Sequence, residues 1–413
     1  MNLMKRNIVL VLSMVMLGFS ANRLNAQSMT TDELLGQLNT ITTSVPFLMI
    51  SPDARAGGMG DIGVSTTSDA ASIHWNPAKL AFVEKDLGVS VSYTPWLRAL
   101  VPDINLAYLS GYKRIDEMQV IGMSLLYFSL GDITFTDVVG NTTGQFRPNE
   151  FAVDACYSRK LSEVFSLGVS GRFIYSNLTG GQFVGSESTH PGTSVAADVS
   201  FHYEKTVDFS KMRDNRFAVG LNISNMGSKI GYTETIEKDF IPINLRIGPS
   251  LRLNLDKFNT IEFGIDLNKL LVPTPPVYLL DSLGNPVFEN GNRVIEYGKD
   301  NKNVGVVSGM LNSFGDAPGG FREELREFNI GVGAEYWYDK QFAIRAGYFY
   351  EHATKGNRKF FTLGLGIKYN VFGLDFAYLV PASSEVKSPL ENTLRFTLIF
   401  DFDGLKGNTD LPN

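Results

Sequence analysis

The chain has 413 residues, 44% apolar and 12% aromatic, with only 19% charged, 40 glycines and a formal net charge of −6. High hydrophobicity with so little charge excludes a disordered chain, and the glycine content argues against a helical bundle. Without a basic excess to neutralise phosphates, nucleic acid is excluded as a partner. Gly and aromatics in this proportion predict a β-rich protein.

Residues 1–26 read as a signal peptide. Lys5 and Arg6 form a positive start, Ile8 to Phe19 an apolar run, and Leu24-Asn25-Ala26 a small-residue cleavage site. Its removal takes Lys5, Arg6 and Arg23, and the net charge falls from −6 to −9. The apolar run is shorter than the ~20 residues of a spanning helix. Cys156 is the one cysteine, so no disulfide forms within the chain. An exported, cysteine-poor, aromatic-rich chain without a spanning helix points to the outer membrane of a Gram-negative bacterium.

Residues 27–86 precede the first strand and are expected to form a periplasmic or luminal plug. Thr30-Thr31-Asp32-Glu33 reads as a helix start. The run Asp53-Ala54-Arg55-Ala56-Gly57-Gly58-Met59-Gly60 leads towards Trp75-Asn76-Pro77-Ala78-Lys79-Leu80. Gly57, Gly58 and Gly60 suit tight turns against a wall. Asp53 and Arg55 are expected to pair with lumen residues such as Arg345 or Asp375.

From residue 87 onward the dominant signal is period two. In the C-terminal third, Phe361, Leu363, Leu365 and Ile367 alternate with Thr362, Gly364, Gly366 and Lys368. Phe372, Leu374, Phe376 and Tyr378 alternate likewise with Gly373, Asp375 and Ala377. One face is uniformly large and apolar, with Tyr near strand ends. The other is mostly Gly, Thr and single charges. A transmembrane barrel requires this division between lipid and lumen.

Strands are predicted near 87–94, 103–113, 118–130, 149–159, 164–175, 193–204, 216–224, 243–253, 259–267, 328–338, 341–351, 359–369, 371–380 and 391–402. The fold expected is all-β, a 14-stranded antiparallel transmembrane barrel spanning 87–402, with an N-terminal luminal plug and long extracellular loops. Short connections at 114–117, 160–163, 254–258, 339–340 and Asn370 alternate with long ones at 131–148, 176–192, 225–242 and 268–327. Segment 205–215 is a middling periplasmic turn. Short turns are periplasmic in such barrels, so both termini are expected in the periplasm, including a tail at 403–413. The connection 268–327 exceeds ordinary loops and is expected to be functional. Within it, Asp281-Ser282-Leu283-Gly284-Asn285 reads as a hairpin tip, and Arg322 to Glu327 as a mixed-charge run.

Catalytic chemistry is not expected. The chain has no P-loop, dinucleotide fingerprint, His-Glu-x-x-His or cysteine pair, so no catalytic residue, metal or cofactor is expected. Asp198, Ser200 and His202 share a lumen face and superficially suggest a hydrolase triad. Neighbours on one strand face stand ~6.6 Å apart in parallel, whereas a triad needs contacts near 3 Å. Cys156 also faces the lumen and reads as filler.

The run Asp53 to Val64, followed by Asp69, Ser72 and Trp75 to Leu80, resembles the N-terminal signature of FadL-type outer-membrane barrels. It is most similar to the PorV (LptO) branch of the Bacteroidetes type IX secretion system. Asp53, Arg55, Gly57, Gly58, Gly60, Trp75, Asn76 and Pro77 carry the motif, and the Leu271-Val272-Pro273-Thr274-Pro275-Pro276 loop extends the resemblance.

The resemblance implies a non-enzymatic barrel that binds the C-terminal signal domain of secreted cargo as it leaves the type IX translocon barrel. It implies delivery of that cargo to a surface attachment complex containing a sortase, with outer-membrane lipid around the barrel. The expected cargo contact is the stiff loop Pro273, Pro275, Pro276, Val277, Tyr278, Leu279 and Leu280. Two alternatives stand beside this reading. One is a FadL-like transporter of hydrophobic small molecules, which predicts an apolar luminal pocket. The other is a lipopolysaccharide deacylase.

Overall fold

The computed structural model describes residues 39–403, apart from 98–100, 102, 137–138, 185–186, 210–211, 235–237, 284, 302, 383–389 and 391–392. The signal peptide, the helix start at Thr30 and the tail beyond Asp403 lie outside the described residues.

Fourteen antiparallel strands close into one barrel, each bonded to its neighbours in sequence order. They are β1 (Leu87–Pro95), β2 (Ile104–Arg114), β3 (Gln119–Leu130), β4 (Asn149–Ser162), β5 (Phe165–Asn177), β6 (Gly192–Phe209) and β7 (Met212–Gly227). The second half comprises β8 (Asn244–Asn254), β9 (Asn259–Leu270), β10 (Asn329–Tyr338), β11 (Phe342–Tyr350), β12 (Lys359–Tyr369), β13 (Phe372–Pro381) and β14 (Leu394–Phe402). The ring closes where Leu87–Tyr93 of β1 pairs with Phe402–Phe396 of β14.

Strand β12 shows why the sequence folds this way. Phe361, Leu363, Leu365 and Ile367 all point outward and stay about half exposed. Phe360, Thr362, Gly364 and Gly366 point inward and are buried. On a soluble protein such an apolar belt would be a liability; on a barrel it is the lipid-facing surface. Among the described residues no helix is long and apolar enough to cross a membrane. The protein is an outer-membrane β-barrel that crosses with strands.

Three features depart from expectation. Segment 205–215 is not a middling turn. Strands β6 and β7 run on through it, pairing Thr206 with Arg216 and Val207 with Asn215. Its polar residues mark a hairpin projecting beyond the apolar belt rather than a loss of strand.

The lumen is also not uniformly small and polar. Its outer half is lined by Leu106, Leu126, Phe128 and Ile174, which form an apolar cluster with Val45, Phe47 and Leu48 of the N-terminal segment. These inward positions are large because chain, not water, fills the space beside them.

The third departure concerns the path of the N-terminal segment, described from Asn39 onward. Asn39 lies at the mouth that carries the long connections, the outer one in such barrels. Its Nδ2 donates to the Pro275 carbonyl at 2.7 Å, and its own carbonyl accepts from Lys355 Nζ at 3.0 Å. Ser44 donates its amide to the Phe240 carbonyl. From there the chain descends through the lumen and reaches β1 at the end of the short turns. Strand parity fixes where β1 starts and β14 ends, but it says nothing of a segment that traverses the pore before β1.

Candidate functional site

Two regions carry the candidate functional residues: the luminal segment with its motif, and the assembly over the outer mouth. In the first, Asp53 N-caps the one-turn helix α1 (Ala54–Gly57), accepting from the Ala56 amide at 2.9 Å. Its other oxygen accepts from Trp75 Nε1 at 2.7 Å. The two halves of the motif are therefore tied across 22 residues by one buried carboxylate. Trp75 ends a second short helix, α2 (Ser72–Trp75), and lies under the Arg246 guanidinium at 4.4 Å.

Asn76 is fully buried. Its Nδ2 donates to the carbonyls of Val64 and Phe201, and its Oδ1 accepts from the Ala78 amide. Pro77 opens a 3-10 turn, and its carbonyl accepts from Ser158 Oγ at 2.6 Å. Both residues hold the segment to the wall.

The glycines serve close approach. A Cβ on Gly57 would meet Arg395 Nη1 at 2.5 Å, and one on Gly60, whose φ is +74°, would meet the Val332 carbonyl at 2.6 Å. Gly58 sits against backbone of Gly364, where a Cβ would come within 3.0 Å. The wall reciprocates. A Cβ on Gly347 would lie 2.1 Å from the Gly60 nitrogen. Only glycine on both partners allows these backbones to touch.

Arg55 makes a network of charged contacts. Nε and Nη2 donate to both oxygens of Glu335 at 2.9 and 2.8 Å, a bidentate pair. Nη1 donates to Asp69 at 2.8 Å, and Glu262 stands 3.5 Å from Nη2. Glu335 also accepts from Arg345, which reaches Asp375 at 2.7 Å. Neither Asp53 nor Arg55 meets the partner expected of it. The wall pairs Arg345 with Asp375 directly, and Arg55 inserts instead between the adjacent carboxylates of Glu262 and Glu335. Those two residues face each other on neighbouring strands, a like-charge pairing that is unfavourable without a cation.

Lys79 is also buried. Its Nζ donates to the Gly63 carbonyl at 2.7 Å and to Thr66 Oγ1 at 3.2 Å. Burial lowers its ammonium to about 8, against the opposing pull of Asp69.

The superficial triad separates. Ser200 accepts from the Ala78 amide and donates to the Gly168 carbonyl. His202 contacts Glu204, and Asp198 contacts Arg172 and the Asn225 amide. Cys156 is buried beside Gly122 and Ile73. Among the described residues no group of three or more His, Cys, Asp or Glu is placed to hold a metal.

Over the outer mouth, the connection between β9 and β10 is folded rather than loose. It contains α3 (Val306–Asn312) and α4 (Phe321–Arg326). The mixed-charge run supplies α4, whose Glu324 and neighbouring Glu327 turn inward to Lys269 at 3.0 and 2.5 Å. Lys355, from the turn after β11, reaches Glu323 and Glu327. Thr274 donates its hydroxyl to Glu327 at 2.7 Å and its amide to Asp316 at 3.2 Å. Burial, with Glu324 and Glu327 nearby, raises the Asp316 carboxyl to about 6.

Of the expected cargo contacts, Pro273 is buried beneath α3, near Gly309. Pro275, Pro276, Val277, Tyr278 and Leu279 are half-buried, and Leu280 is exposed. Val277 and Tyr278 form a short ladder with Tyr297 and Ile295. The tip at Asp281 is closed by its side chain, which accepts the amides of Leu283 and Asn285.

The more exposed apolar residues lie further on. Val307 and Leu311 on α3, and Phe321 and Leu325 on α4, are each 56–78% exposed. Both pairs have i, i+4 spacing on helices too short to produce a periodic signal in sequence. A search for apolar pairs four apart inside the long loop would have found them.

The family profile described as type IX secretion system protein PorV matches residues 34–277, more than half of the chain. The chain belongs to the PorV family. The match spans the luminal motif, β1–β9 and the first part of the outer-mouth connection, and it ends before α3 and α4. A protein of the PorV family is a component of the type IX secretion system, and this one is an outer-membrane barrel.

No curated protein sequence matches the chain. Similar solved structures include the Ralstonia pickettii toluene transporter TbuX, 13% identical, covering 85% of this chain and 98% of that one, with a TM-score of 0.46. The Pseudomonas putida toluene transporter TodX is 11% identical over 88% and 98%, with a TM-score of 0.48. A Pseudomonas aeruginosa FadL homologue is 10% identical over 88% and 99%, with a TM-score of 0.43.

Proposed function

We propose that this PorV-family barrel acts as a non-enzymatic carrier at the cell surface. It binds the C-terminal signal domain of cargo leaving the type IX translocon and passes it to the attachment complex with its sortase. The observation that carries this reading beyond family membership is the exposed apolar surface of Val307, Leu311, Phe321 and Leu325. Of the two helices that carry it, α4 is pinned to the mouth by buried Lys269 and Lys355, and α3 packs through Val306 and Met310 on the apolar cluster below. A solvent-exposed apolar patch above the membrane suits a β-rich or extended partner. Pro273, Pro275 and Pro276 serve as scaffold under the patch, and Val277, Tyr278, Leu279 and Leu280 extend it.

Hydrophobic-molecule transport draws less support. The apolar residues of the outer lumen are covered by Val45, Phe47 and Leu48 of the same chain.

Capture of a purified cargo signal domain by the full-length barrel in detergent tests the proposal. A quadruple variant, Val307→Glu, Leu311→Glu, Phe321→Glu and Leu325→Glu, should insert and migrate as folded barrel yet lose at least tenfold in capture. Undiminished capture by that folded variant overturns the assignment of the surface.

A further inference from the structure

The lumen-facing register across five consecutive strands makes a ladder of charge. Arg216 on β7 pairs in register with Arg252 on β8, Arg252 with Glu262 on β9, Glu262 with Glu335 on β10, and Glu335 with Arg345 on β11. Its order is two cations, two anions and a cation. It therefore contains two like-charge neighbours, each unfavourable alone.

The Glu262–Glu335 pair is neutralised by Arg55, inserted from the luminal segment. The Arg216–Arg252 pair receives no charged group from that segment, only the Ser65 carbonyl, which accepts from Arg216 Nη2 at 2.8 Å. Arg216 is held by Glu204 at 2.8 Å and Glu262 at 3.0 Å. Arg252 is half-buried and, among the described residues, forms no ion pair.

Both arginines line a cavity of about 260 Å³ beneath the luminal segment. Its rim includes Lys340, at the tight turn between β10 and β11, so it opens at the short-turn, periplasmic end. Lys340 likewise forms no ion pair among the described residues. Arg345 lines the same cavity, is 1% exposed, and leaves Nη2 without a hydrogen-bond partner. Six of the seven lining carboxylates are already engaged by cations, Glu84 being the exception. Trp337, one inward position nearer the periplasm than Glu335, adds an apolar wall.

We propose that this vestibule is a binding site for a carboxylate ligand with an attached apolar group. The carboxylate completes the ladder at Arg216 and Arg252 as Arg55 completes it at Glu262 and Glu335, and the apolar group lies against Trp337. A guanidinium pair offers parallel N–H donors matched to a planar carboxylate. Free small carboxylates and the acidic side chain of a periplasmic protein segment carry this same chemistry. The site is independent of the cargo surface on the opposite side of the membrane.

Calorimetric titration of the full-length protein in detergent, at low salt, with benzoate, benzamide and the dipeptide N-acetyl-Phe-Glu-amide tests the site. Saturable benzoate binding, absent with benzamide and weakened about tenfold in Arg252→Gln, supports a small-carboxylate ligand. Binding of the dipeptide alone, with the same loss in Arg252→Gln, supports an acidic peptide segment. Arg252 has no ion partner to lose, so Arg252→Gln should fold as wild type. Lys340→Gln, on an exposed turn, should weaken the same ligand about threefold and serves as a second variant. The proposal is overturned if no carboxylate binds, if benzamide binds equally, or if neither variant changes the affinity.

Discussion

In the periplasmic half of the lumen, Asp53, Arg55 and Asn76 meet the wall and each other through directed hydrogen bonds and ion pairs. In the outer half, Val45, Phe47 and Leu48 meet Leu106, Phe128 and Ile174 through apolar contact. The same segment is thus held in two physically different ways. Directed bonds to buried charges fix position and register, because a displaced arginine leaves carboxylates unpaired. Apolar contact is non-directional and contributes by area removed from solvent. The charged half specifies where the segment lies, and the apolar half seals the space above it.

The sharpest way to break this contrast is at Arg55. Arg55→Ala removes the cation between Glu262 and Glu335, leaving each with only its wall arginine, Arg216 and Arg345, and should destabilise the folded barrel by about 3–5 kcal/mol, measured by denaturant unfolding in detergent. Adding Glu335→Gln should restore part of that loss. A double variant no better than the single one would show that the charge pairing is not what Arg55 supplies.

In the apolar half, Phe47 is fully buried and stacks on Phe128 at 6.3 Å. Phe47→Ala should cost about 3 kcal/mol. Hydrogen exchange at the Gly63 and Val64 amides, which donate to Asp266 in the charged half, should stay as slow as in wild type. Faster exchange there would mean that the two halves act as one unit.

The smallest effect expected is at the mouth. Asp316 has a carboxyl raised to about 6, above its unfolded value near 4. A raised folded value means the protonated form is favoured in the native state. That contribution is fully present below about 4 and is lost as pH rises through about 6. Glu324, Glu327, Lys269 and Lys355 surround the same contact. Protection of the Thr274 amide, which donates to Asp316, should therefore rise on acidification from pH 7 to pH 5 once the intrinsic pH dependence of exchange is divided out. Unchanged protection would place the carboxyl in water.

The wall of the barrel was legible because each strand writes its environment twice, once per face. Strand ends in the sequence reading fall within a few residues of those observed, and the β6–β7 hairpin departs most. There the apolar face stops while the hydrogen-bond ladder continues, and hydropathy records only the first. The contents of the lumen were less legible. A lumen-facing acid such as Glu335 looks the same in sequence whether it meets water, Arg345 or a luminal arginine. The height at which Arg55 meets the wall depends on contacts across 280 residues. Val307, Leu311, Phe321 and Leu325 escaped for a different reason. Their helices are seven and six residues long, too short for a period to emerge.

The descent from Asn39 at the outer mouth to Leu87 at the inner end bears on how the molecule is assembled. A polypeptide that runs down the axis of a ring cannot be added through the side once the ring is shut. The glycine-to-glycine contacts leave no clearance for sliding a chain past the wall. The folded sheet therefore surrounds the inner chain as a winding surrounds its mandrel, in contact with it at Gly58, Gly60, Gly347 and Gly364. The seam between β1 and β14 is where that wrap closes, and fourteen strands set the width of the space that the inner chain fills.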